Sequence, residues 1–250
     1  MPQALRACGI TVLELVVVVA IIGVILVVIL TSQSSFNRVL LLTDTAYTVA
    51  LSIRQTQSLG LSGHGYSGVQ NVGYGIHINA AVPVTSYMQF ADTDPSIANQ
   101  PTLGYSYCPA HSNNNPNDPE ARPGDCLYTS NDGQPIQTYR FLAGYTIGSV
   151  CGYDYTPGTG CSSNAYCSNG NLSTCQSQTL NNTVSAADIV FERPNTQTVM
   201  STTLVGSPAP IIHVDWMCIQ VTAPSSAGIG SRYIEVSKLG QVFVSSTCTP

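Results

Sequence analysis

The run Ile10 to Leu30 limits what this chain can fold into more than any other stretch of it. Its 21 residues carry only two polar side chains, Thr11 and Glu14. As a helix rising 1.5 Å per residue it would extend about 31 Å, the thickness of one bilayer core. A helix that is apolar all round has no face to turn towards water, so it calls for lipid or for other apolar helices. Glu14 is the exception within it. A carboxylate at hydrocarbon depth costs a few kcal/mol, so its presence points to a partner, or to an interfacial position from which it reaches water. A cleaved secretory signal would have a shorter apolar region and small residues at a cut site, and Thr31-Ser32-Gln33 does not supply them.

The text around the head of this run is specific. A short leader with one arginine, Arg6, ends at Gly9 and is followed by Ile10-Thr11-Val12-Leu13-Glu14-Leu15, with Ala20-Ile21-Ile22-Gly23 behind it. In these residues the chain resembles the type IV pilin and type II secretion pseudopilin superfamily. The resemblance implies cleavage by a prepilin peptidase between Gly9 and Ile10 and N-methylation of Ile10. It also implies that Glu14 pairs with the amino terminus of a neighbouring subunit when apolar helices stack in a filament. Ile10 stands where that family usually has Phe, and the helix-kinking Pro of many major pilins is missing. That absence favours a pseudopilin or minor pilin.

The implied layout is a leader over 1–9, a membrane and filament-core helix over 10–31, an amphipathic helix over 32–61 and an extracytoplasmic head over 62–250. The implied partners are other pilin or pseudopilin subunits, the peptidase, and inner-membrane lipid before assembly. The implied location is the inner membrane, with the head outside the cytoplasm, and then a pilus or pseudopilus. A looser likeness of the late strands to GspH/FimT minor pseudopilins points the same way. The basic chain end through which some FimT-like pilins bind DNA has no counterpart in Val242 to Pro250.

Beyond the apolar run, Phe36, Val39, Leu40, Ala46, Tyr47, Ala50, Leu51 and Ile53 recur at helical spacing, with Arg38, Asp44, Arg54 and Gln55 between them. This predicts an amphipathic continuation of the helix, stopped by Gly60, Gly63 and Gly65. Strand-like runs follow: Gly73–Ile78, Ser86–Phe90, Gln137–Phe141, Asp188–Glu192, Gln197–Ser201, Ile211–Gln220, Tyr233–Val236 and Gln241–Val244. Turns are expected at Phe191–Thr196 and Ser237–Gly240. The fold class expected is α+β: a long helix packed on a mostly antiparallel sheet. Ala91–Asn131 and Ser149–Asn182 read as long loops.

Charge and cysteine content narrow the function. Only 8% of the 250 residues are charged, about a third of the usual share, and the net charge is −5. The eight basic residues are scattered, so the electrostatic source of nucleic-acid affinity is missing and nucleic acid is not an expected partner. Eight of the nine cysteines, Cys108, Cys126, Cys151, Cys161, Cys167, Cys175, Cys218 and Cys248, follow the apolar run. An even set beyond a membrane segment reads as disulfides in an oxidising compartment, with connectivity open. A metal site is disfavoured because no C-x-x-C pair occurs and no His lies between Cys151 and Cys175.

Asp92 and Asp94, in Ala91-Asp-Thr-Asp-Pro95, are calcium candidates without the glycine punctuation of an EF-hand loop, and a solvated acidic loop is the preferred reading. No other cofactor is called for. No nucleophile elbow, phosphate loop or H-E-x-x-H motif occurs, and His64, His77, His111 and His213 are scattered, so a non-enzymatic subunit is expected. The alternative is a filament-tip binding module that uses the cysteine-rich loops as an adhesin or recognition surface.

Overall fold

The computed structural model describes residues 11–80, 84–93, 124, 126–129, 132, 135–142, 144–154, 164–167, 184–193, 197–205, 210–212, 214–224 and 230–248. The chain divides into two compact units, Met1–Leu41 and Leu42–Pro250. A single helix, α1 (Val12–Ser62), contributes to both.

In the first unit, α1 is apolar and exposed from Val12 to Leu30, long and apolar enough to cross a membrane. Phe36 and Leu40, expected on a buried face, are also exposed here.

The second unit is a helix on two antiparallel sheets, which makes the fold α+β. The first sheet contains β1 (Gly73–Asn79), β2 (Ser86–Asp92), β3 (Gln137–Arg140), β6 (Val184–Phe191), β7 (Thr198–Leu204) and β8 (Pro210–Ile212), in the order β3-β2-β1-β6-β7-β8. The second contains β4 (Thr146–Asp154), β5 (Asn164–Cys167), β9 (Trp216–Thr222), β10 (Arg232–Ser237) and β11 (Val242–Ser245), in the order β11-β10-β9-β4-β5. Every pairing within the two sheets is antiparallel.

One core joins helix and sheets. From α1 it takes Leu42, Ala46, Val49, Ala50 and Ile53; from the first sheet Ile76, Ile78, Ile189 and Met200; from the second Val150, Met217, Ile219, Ile234 and Val236. The helical spacing of four, three, one and three residues makes one continuous stripe. Tyr47 and Leu51, expected on that face, are exposed instead. The segment carries apolar residues on two neighbouring stripes, and periodicity alone merges them.

Polar latches fix the helix laterally. Thr56 Oγ1 accepts from Gln89 Nε2 at 3.0 Å, Arg54 Nη2 donates to the Val242 carbonyl at 2.6 Å, and Gln57 Nε2 donates to the Gly240 carbonyl at 3.0 Å. The helix ends as the glycines foretell, with Gly63 at φ 68° just past Ser62.

The strands flanking both expected turns pair, and residues 194–196 of the first turn lie outside the described residues. Phe191 of β6 stands opposite Thr198 of β7, and Gly240, at φ 79°, donates to the Ser237 carbonyl at 2.9 Å between β10 and β11. The expected run Ile211–Gln220 divides between β8 and β9. β4 and β5 were unexpected, because Thr146-Ile-Gly-Ser-Val-Cys-Gly-Tyr-Asp lies partly in the Gly- and Ser-rich text read as loop. The glycines of β4 serve packing. A Cβ on Gly148, where the register with β9 shifts, would come within 2.6 Å of Thr222 Cγ2, and one on Gly152 within 2.9 Å of Val214 Cγ1.

Gly60 is tighter still: a Cβ there would lie 2.2 Å from the Phe191 carbonyl oxygen. Helix propensity alone would make Gly60→Ala stabilising by about 1 kcal/mol. Here the expected sign is reversed, a loss of about 1–3 kcal/mol from overpacking against backbone. Ile189→Ala, at a fully buried core position, should cost about 2–5 kcal/mol. Chemical denaturation of the detergent-solubilised chain measures both; an unchanged or raised midpoint for Gly60→Ala would contradict the close approach.

Candidate functional site

The head of α1 is organised by Thr11. Its Oγ1 accepts the backbone N–H of Glu14 at 3.3 Å, the geometry of an N-cap bonded to the third helical residue. Thr11-Val-Leu-Glu14 therefore has the T-x-x-E pattern of a capping box, a signal that was present in the sequence and that we did not read from it. Glu14 occupies the first turn, where a negative charge also meets the positive end of the helix dipole. It is exposed, among exposed apolar neighbours such as Leu13 and Val17. The cap uses the Glu14 backbone N–H, so the local contribution of the carboxylate is its charge at the positive end of the helix, and any assembly role is additional to it. Gly9 and Ile10 lie outside the described residues.

The cysteines are placed on the second unit. Cys218 of β9 and Cys248, beyond β11, form a disulfide with a Cα–Cα distance of 6.3 Å. Cys126 and Cys151 are also disulfide-bonded. In register, Cys151 stands between Cys167 of β5 and Cys218 of β9. Cys108, Cys161 and Cys175 lie outside the described residues, and of Cys167 only the backbone is described. To reach Cys218, the chain after β11 must cross β10 on the face of the second sheet turned away from the main core. There Cys151, Tyr153, Cys218 and Cys248 form a separate buried cluster edged by Trp216 and Tyr233.

Asp92, a calcium candidate, is fully buried at the end of β2, and its Oδ2 accepts the Cys126 N–H at 2.7 Å. It serves here as an internal anchor for the segment carrying Cys126, not as part of a solvated loop. Asp132 does similar work, accepting the N–H groups of Thr93 at 2.9 Å and Thr129 at 2.8 Å. Asp94 lies outside the described residues. No group of three metal-type ligands among the described residues includes Asp92.

Sequence reading also missed a pair, His77 and Asp188. His77 Nδ1 lies 2.7 Å from Asp188 Oδ1, and the imidazole is 4.6 Å from the Tyr128 ring. Only the β1–β6 register brings them together, so no local motif could have revealed it. Ser201 stands opposite Asp188 on β7, which puts the carboxylate in the middle of the row. A nucleophile relay needs the imidazole in the middle.

One open cleft, about 120 Å³, runs beside α1 and is lined by Asp44, Thr48, Tyr87, Tyr139, Arg140 and Phe141, among others. Its floor is aromatic: Tyr87 stacks on Tyr139 at 4.9 Å and meets Phe141 at 5.6 Å. Tyr87 OH shares a 2.9 Å hydrogen bond with Ser52 Oγ. Burial pushes the Tyr87 phenol up to about 12; the Ser52 hydrogen bond opposes this and Tyr139 adds to it. Burial also raises Tyr139.

No protein-family model, no curated protein and no solved structure matches the chain.

The Tyr87 shift has a consequence at high pH. The native state holds this proton up to about 12, whereas the unfolded chain releases it near 10. The stabilisation is complete below about pH 10 and is lost as pH rises towards 12, up to about 2–3 kcal/mol in all. Tyr87→Phe should flatten the dependence of stability on pH in that window, as read from denaturation midpoints. An unchanged slope would show that Tyr87 does not set it.

Proposed function

We propose that the chain is a prepilin-like structural subunit, processed between Gly9 and Ile10 and assembled through α1 into a type IV pilus or type II secretion pseudopilus. The observation that carries the reading is a helix exposed and apolar from Val12 to Leu30, with one carboxylate in its first turn. Such a surface is costly in water, at about 25 cal/mol per Å² of apolar area left exposed, so it demands lipid or like helices. The residues Gly9-Ile-Thr-Val-Leu-Glu14 and the resemblance they carry select the second destination after the first. Before assembly the subunit is a single-pass protein of the inner membrane, with residues 62–250 outside the cytoplasm.

Assembly gives Glu14 a charge partner. In a stack of apolar helices its carboxylate meets the amino terminus of Ile10 on the next subunit, and the pairing favours one axial register over slipped ones. Exposed apolar residues continue beyond the spanning part, with Phe36 and Leu40 in the first unit and Tyr47 and Leu51 in the second, and they offer further packing surface between subunits.

Mass spectrometry of the chain's amino terminus is expected to find N-methylated Ile10; an intact Met1 or a cut elsewhere would contradict the processing. Glu14→Gln separates the two roles of the acid. Glutamine serves as well as glutamate in a capping box, so the helix and the processing should persist. Loss of a desolvated charge pair costs a few kcal/mol, so incorporation into filaments should fall by about tenfold or more. Wild-type incorporation of Glu14→Gln would contradict the assembly role of the carboxylate.

A further inference from the structure

Glu235 is fully buried on β10, beside the buried cluster of Cys151, Tyr153, Cys218 and Cys248. Its register neighbours are Cys218 on β9 and Phe243 on β11. One carboxylate oxygen, Oε1, is held by the Ser245 hydroxyl, which also lies 2.5 Å from the Thr247 carbonyl. The other, Oε2, is buried and has no hydrogen-bond partner. An unpaired buried carboxylate oxygen is among the more destabilising groups a protein can contain. The adjacent cystine does nothing to offset it, since its sulfurs carry no proton to donate.

The same residues make chemical sense with the sulfurs reduced. A ligand atom from each of Cys218, Cys248 and Glu235 lies within 4.8 Å of the other two, and all three residues are buried. Two thiolates and a carboxylate form a compact set for a borderline-soft divalent cation. Once the S–S bond is broken the two sulfurs must part to the roughly 3.7 Å that two metal–sulfur bonds of about 2.3 Å at a tetrahedral angle require, a spacing that Cα atoms 6.3 Å apart allow. Thiolates favour zinc over calcium or magnesium. The Tyr153 hydroxyl, 3.8 Å from Cys248 Sγ, is placed to donate to a thiolate there and steady it.

We propose that Cys218, Cys248 and Glu235 form a zinc-class metal site in the reduced chain, so that a bound cation and the disulfide are alternative cross-links between β9 and the segment after β11. The interconversion balances. A dithiol supplies two electrons and two protons and closes to its own disulfide, or a phosphine supplies the electrons and water the protons and the oxygen of the phosphine oxide formed; either way the S–S bond breaks and two thiols form. The cation then displaces both thiol protons to water as it forms two metal–sulfur bonds, with Glu235 Oε2 as third ligand and a water completing the tetrahedron. A disulfide-bearing oxidant later withdraws the two electrons, re-forms the S–S bond and releases the cation. Glu235 thereby gains the partner for Oε2 that the oxidised form denies it.

The test uses the full-length chain in detergent micelles, reduced with a phosphine, with zinc chloride or with a chelator. Each sample is alkylated briefly and every cysteine mapped by mass spectrometry. Zinc should slow modification of Cys218 and Cys248 together by at least about tenfold, and the chelator should restore it. Glu235→Gln should raise the zinc concentration needed for that protection by about tenfold or more, on the scale by which even outer ligand partners matter. The variant should still form the Cys218–Cys248 disulfide on oxidation, which shows that it folds. Equal alkylation of Cys218 and Cys248 with and without zinc would overturn the site, and so would unchanged zinc dependence in a Glu235→Gln chain that re-forms the disulfide.

Discussion

The packing of one stripe of α1 against both sheets is the interaction on which the second unit depends. Leu42, Ala46, Val49, Ala50 and Ile53 share a core with strands of each sheet, so the helix is the element through which the sheets are held to a common interior. Small residues let it approach closely. Ala46 and Ala50 lie in the stripe, and Gly60 meets the Phe191 carbonyl where no side chain would fit. Hydrogen bonds from Arg54 and Gln57 to Val242 and Gly240 then fix its position along the last hairpin. In the first unit, among the described residues, the same helix exposes apolar side chains from Val12 to Leu30. One helix therefore carries two kinds of surface, a stripe buried in a protein core in its later part and, in its earlier part, an apolar surface long enough to cross a membrane.

Much of this was legible in the sequence because it depended on local period and punctuation. Alternation located β1, β2, β3, β6, β7, β10 and β11 to within a few residues, and Gly63 and Gly240 marked a helix end and a hairpin turn. What failed needed knowledge of partners. Tyr47 and Leu51 have the hydrophobicity and spacing of a buried face, and only the position of the sheets shows that the neighbouring stripe is the one covered. β4 was hidden by Gly148 and Gly152, which read as loop residues but make room for Thr222 and Val214. Long-range register likewise creates the His77–Asp188 pair and sets Glu235 beside Cys218. Asp92 looked like a solvated acid because its acidic neighbourhood was visible, whereas the Cys126 N–H that it anchors was not.

The sites show the same division. Glu14 was conspicuous as a charge in an apolar run, and the resemblance gave it a partner in another subunit. The structure adds a local feature at this position, the backbone N–H of Glu14 donating to Thr11 Oγ1. The two features are compatible, since a capped first turn holds the carboxylate at a defined height on the helix. Cys126, Cys151, Cys218 and Cys248 are cystine-bonded, as the even set of cysteines beyond the apolar run led one to expect. That bonding leaves the reduced state as the stage at which Glu235 could take a cation.

The central claim is that the exposed apolar start of α1 is covered by the same segment of other copies. A photo-reactive side chain at Leu13, one residue before Glu14 and exposed, tests it most directly when the full-length chain is irradiated in membrane and filament fractions of cells that produce it. The account predicts that adducts in the filament fraction join Leu13 to the first helical turns of a second copy, with lipid adducts confined to the membrane fraction. Lipid adducts alone in every fraction would contradict it.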